Sequence, residues 1–164
     1  MAGRFKGISA VLLLLVLGIT EGFLSVEGEV NAAKYYDALI NSRAGKAMGN
    51  EAILADLKEQ EDKFYRLAND PTQYDPRKQI EAIRGFTRRA GPLLGLEDGH
   101  GPLDEMLRAT RAVLGMDALP EGQVQHPWSE AKVITPLCAE FLTRVIKAHK
   151  RRATKNARVT KEEL

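Results

Sequence analysis

The chain has 164 residues, 44% hydrophobic, 28% charged and 6% aromatic, with a formal net charge of +2. That balance excludes an intrinsically disordered chain. The sparse aromatics and the lack of alternating Val, Ile and Thr runs exclude an all-β fold. A single cysteine, Cys138, excludes a disulfide within the chain.

Residues 1–28 have the layout of a leader. Arg4 and Lys6 form a short positive region, and Gly7–Ile19 is free of charge and centred on Leu12 to Leu15. Gly22 and Gly28 are small residues at which a secretory signal peptide can be cut, with Thr20 and Val26 as acceptable partners two residues earlier. The mature chain is then expected to begin between Phe23 and Lys34. The apolar run is shorter than the ~20 residues that span a bilayer. An uncleaved anchor over Gly7–Val26 would carry Glu21 near its outer end, where a carboxylate costs less than at the helix centre. Cleaved signal peptide is the main expectation and membrane anchor the alternative.

The body, residues 29–149, reads as a bundle of about five helices, an all-α fold. Val30–Ala44 has helical spacing in Val30, Ala33, Tyr36, Leu39 and Ile40. Gly45 and Gly49 weaken it, and Asn50 is expected to cap a helix over Glu51–Ala68, the clearest amphipathic segment. Asn69-Asp70-Pro71 ends that helix. Asp75-Pro76 is a cap followed by proline at the first helical position, and Gly91-Pro92 ends the helix it starts. Pro102 opens the next, which Gly115 is placed to stop. Ala118–Pro127 is a link. Ser129 can cap a short helix, and Thr135-Pro136 either kinks it or starts the last one. Leu137, Phe141, Leu142, Val145 and Ile146 give the last helix its apolar stripe. Residues 150–164 are expected to be a frayed basic tail.

No run of residues carries an enzymatic signature. Glu97-Asp98-Gly99-His100-Gly101, with Asp104 and Glu105, lacks the alternate oxygen ligands of a Ca²⁺ loop and the His or Cys spacing of a zinc site. It reads as a turn whose acids favour the N-terminus of the following helix. His126-Pro127-Trp128 reads as a packing staple, Tyr35, Tyr36 and Tyr65 as half-buried rings with wet hydroxyls, and Cys138 as a core residue. Phosphate-loop, nucleophile-elbow, His-Glu-x-x-His and haem-attachment motifs are absent from the sequence. Neither an enzyme nor a cofactor is expected.

The basic C-terminal stretch is the strongest binding signal. From Phe141 to Lys161 the sequence has eight bases and no acid. Helical spacing places Arg144, Lys147, Arg151 and Lys155 along one side, suited to a protein partner with acidic groups or to an anionic membrane surface. The leader argues against nucleic acid. The last four residues, Lys161-Glu162-Glu163-Leu164, resemble the Lys-Asp-Glu-Leu signals that retrieve proteins to the endoplasmic reticulum, with Glu in place of Asp. The resemblance implies residence in the lumen of that compartment in a eukaryote. Together these features describe a non-enzymatic helical binding protein of the secretory pathway, an accessory or chaperone-like factor. The alternative is an accessory subunit of a larger membrane complex, anchored by its leader and facing the periplasm or an organelle lumen.

Overall fold

The computed structural model of the chain describes residues 24–70, 75–118 and 126–163. Among them are six helices and no strand: α1 (Val26–Asn41), α2 (Arg43–Met48), α3 (Asn50–Asn69), α4 (Pro76–Leu93), α5 (Leu103–Val113) and α6 (Pro127–Glu163). The expected leader, up to Phe23, lies outside the described residues. From Leu24 onward the chain belongs to the bundle, ahead of the boundary expected at Gly28.

Local chemistry explains most of the helix ends. The Ser25 hydroxyl accepts from the Gly28 N–H at 3.0 Å, and Glu27 and Glu29 follow in the first turn of α1, where the helix dipole favours acids. Ser42 interrupts what the spacing reads as one helix over Val30–Ala44. Its hydroxyl bonds the Leu39 carbonyl and accepts from the Gly45 N–H, so one side chain closes α1 and caps α2. Gly49, at φ +84°, rather than Asn50, precedes α3; positive φ is cheap only for glycine. Asp75 caps α4 through the Arg77 N–H at 2.9 Å, with Pro76 in the first turn. Gly115, at φ +70°, follows the end of α5.

α6 is the spine of the molecule and packs against α1, α3, α4 and α5. It is one helix of 37 residues, about 55 Å long at 1.5 Å per residue. Pro136 neither starts nor splits it. The ring removes one N–H, and the packed sides of the helix hold the remaining ladder in place. Between Ala131 and Ile146 the helix is buried on most of its circumference: Ile134, Cys138, Phe141, Leu142 and Val145 have no exposed surface. Phe141 packs edge-on to Phe86 at 5.3 Å between ring centroids and lies 5.8 Å from Tyr35, while Phe86 meets Phe64 at 5.8 Å. These four rings join α1, α3, α4 and α6, in arrangements aromatic quadrupoles favour.

Candidate binding surface

From Lys150 onward α6 leaves the bundle. Residues 150–159 are all exposed, and the helix persists to Glu163 where a frayed tail was expected. Ala153, Ala157 and the long basic side chains are good helix formers, and the segment inherits its first turns from an already formed helix. It therefore avoids the nucleation step that makes short isolated helices unstable.

The four bases singled out by spacing do not share one environment. Lys147, Arg151 and Lys155 are exposed. Arg144 is held inside: its side chain is 17% exposed and pairs with buried Glu140 at 3.2 Å and with Glu29 of α1 at 3.5 Å. Arg144 is a buttress between α1 and α6 rather than part of an open surface. Arg152 also turns away from the other bases, bonding Asp37 at 2.8 Å and lying 5.6 Å above the Tyr36 ring.

What remains is a one-sided stripe. At about 100° per residue, Lys147, Lys150, Arg151, Lys155, Arg158 and Lys161 fall within about 140° of arc along roughly 21 Å of helix. Among the described residues no carboxylate lies within ion-pair distance of Lys147, Lys150, Arg151 or Lys155. Lys147/Arg151 and Arg151/Lys155 are like-charge pairs at i,i+4, which destabilise a helix by a few tenths of a kcal/mol each. Lys150, Arg158 and Lys161 carry the same signal in the sequence, but counting only in steps of four from Lys147 omits them.

A cleft of about 320 Å³ opens at the foot of the stripe between α1 and α6. Ala33 and Ala148 form its small-residue sides, Lys147 and Arg151 its cationic rim, and Glu29 lies at the edge next to Arg144. Further along the same seam His149 is buried, with Nδ1 3.3 Å from the Tyr36 hydroxyl and the two rings edge-to-face. Burial holds the His149 imidazole below its usual pKa and raises that of Tyr36, so the two groups meet as a neutral pair sharing one hydrogen bond.

The other sequence candidates disperse. Asp98 accepts from the His100 N–H at 3.0 Å, and Arg84 donates to the Gly99 and Gly101 carbonyls, so this segment is a pinned turn. Among the described residues no three His, Cys, Asp or Glu side chains converge as a metal site would require. Trp128 is 47% exposed and does not pack as a staple. Tyr35 and Tyr36 are buried more deeply than expected, and desolvation pushes the Tyr35 phenol up to about 12. Lys161 is exposed, Glu162 and Glu163 continue α6, and Leu164 lies outside the described residues.

The fold and surface together define a helical bundle with a projecting cationic helix. Compared with known proteins, the chain matches no family, no curated protein and no solved structure.

Proposed function

We propose that the protein is a non-enzymatic accessory factor of the secretory pathway that acts by binding an acidic protein partner through the cationic stripe of α6. The observation that carries the reading is the exposure of Lys147, Lys150, Arg151 and Lys155, without ion-paired carboxylates among the described residues, on a helix whose earlier part is the core of the bundle. A rigid root and a solvated, like-charged end suit a docking element, because an acidic partner relieves the repulsion along the stripe. Carboxylates spaced one per turn on a partner helix, about 5–6 Å apart, match the rise between successive bases.

A protein partner is favoured over a bilayer by the side opposite the stripe. Arg152, Ala153 and Asn156 lie there, and Val159 is the one large apolar residue between Lys150 and Lys161. Helices that lie in a membrane interface bury an apolar face as well as presenting bases, and this one has no such face. Among the described residues no helix is long and apolar enough to cross a membrane. Residence in the lumen of the endoplasmic reticulum rests on the leader and on Lys161-Glu162-Glu163-Leu164. It predicts that deleting Leu164 releases the protein into the medium of a eukaryotic host; unchanged retention would contradict it.

The binding reading is tested with poly-L-glutamate as the acidic probe and phosphatidylserine vesicles as the membrane probe. The wild-type chain is expected to bind poly-L-glutamate, and the affinity should fall as salt shortens the Debye length from ~8 Å at physiological strength to ~3 Å at 1 M. Salt-independent binding, or binding only to the vesicles, would overturn it.

A further inference from the structure

Resting on the reading of residues 1–22 as a cleaved leader, we propose that Leu24–Gly28 form a latch kept in the mature protein and that the leader leaves at the Gly22–Phe23 bond. The sequence offers Gly22 and Gly28 equally as the residue before the cut. The fold distinguishes them. Leu24 is 5% exposed and belongs to the hydrophobic core. Ser25 caps α1, and its hydroxyl donates to the Gly115 carbonyl at 2.9 Å. Asn31, three residues beyond Gly28, donates from Nδ2 to the Ala112 and Val113 carbonyls at 3.2 and 3.1 Å.

These carbonyls are at the end of α5, where a helix runs out of its own N–H partners. The start of α1 is therefore the cap on the end of α5. The two segments touch backbone to backbone: a Cβ on Gly28 would strike the Leu114 carbonyl oxygen, and one on Gly115 the Gly28 amide nitrogen. Gly28 is a packing residue of the folded domain.

Each cut adds water across one amide, leaving a carboxylate on one side and an α-ammonium on the other, with an endopeptidase of the export route as catalyst. Cutting after Gly28 would remove Leu24 and the Ser25 cap and place the new ammonium of Glu29 in the first turn of α1, where the helix dipole opposes a positive charge. Cutting after Gly22 keeps Leu24, the Ser25 cap and Gly28 in the chain. The same latch argues against an anchor reaching Val26, because Leu24 cannot be in the bundle and in lipid together. An anchor ending at Phe23 would span Gly7–Phe23, roughly 25 Å of helix against a hydrocarbon core of about 30 Å.

The test is the intact mass and N-terminal sequence of the full-length gene product recovered from its source. A chain beginning at Phe23 is expected. A chain beginning at Glu29 would overturn the latch and leave the export reading standing; a chain retaining Met1–Gly22 would overturn the export reading and this proposal with it. In parallel, Ser25→Ala in the full-length chain should lower the thermal midpoint by about 2–5 °C. An unchanged midpoint would show that the segment does not hold the domain together.

Discussion

Cys138 and His149 lie on the same helix, and burial moves their titrations in opposite directions. The Cys138 thiol has no exposed surface, and desolvation pushes its pKa well above the ordinary range. Thiolate is the reactive form, so a thiol reagent at neutral pH should leave the folded protein unmodified and label one site per chain once it is denatured. Rapid labelling of the native protein would contradict the packing of α6. His149 is neutral in the fold and has a lowered pKa. As pH falls through the unfolded value of about 6.5, the unfolded chain takes up a proton that the folded chain does not. Stability is therefore full above about pH 6.5 and declines below it, until the pH reaches the lower folded pKa. His149→Gln should flatten that part of the stability profile, measured by urea midpoints between pH 5 and 7.

The elements divide α6 into two regimes, and substitutions should separate them. Phe141→Ala opens a cavity among rings from four helices and should cost about 3–5 kcal/mol. Ala153→Gly with Ala157→Gly should cost about 1 kcal/mol per site in local helicity. Because that segment lies outside the core, the thermal midpoint of the bundle should hardly move, while amide exchange over residues 150–161 accelerates. Equal effects of the two sets on the midpoint would show that the distal half packs against the domain. Much of this element structure is legible in the sequence where a single residue decides it: Asp75-Pro76 starts α4 and Gly115 ends α5. Ser42 is not legible as a break, because the apolar spacing runs straight through it and its hydroxyl acts only once the chain has turned. The continuity of α6 through Pro136 is hidden for the opposite reason. Proline signals a break locally, and the packing that overrides it comes from elements distant in sequence. Arg144 is legible as a base but not as a buttress, since its partner Glu29 sits on a helix at the other end of the chain.

At the scale of the whole molecule, charge and packing are segregated along one long helix. The buried half of α6 takes its stability from apolar contacts on four sides, and the projecting half contributes little to it. Exposed charges contribute well under 1 kcal/mol each, so neutralising the stripe should leave the fold intact and remove an attraction that acts over a Debye length. Net charge alone would produce a weaker and position-independent version of the same behaviour. Moving the charge change from place to place therefore separates a docking stripe from an effect of net charge. Two triple variants, Lys147→Gln/Arg151→Gln/Lys155→Gln on the stripe and Lys46→Gln/Lys58→Gln/Lys63→Gln on exposed positions of α2 and α3, each remove three positive charges. Affinity for poly-L-glutamate at fixed salt should fall about tenfold or more for the first variant and by less than about twofold for the second, with both thermal midpoints near wild type. Equal losses in the two variants, or none in the first, would show that the stripe is not a docking surface.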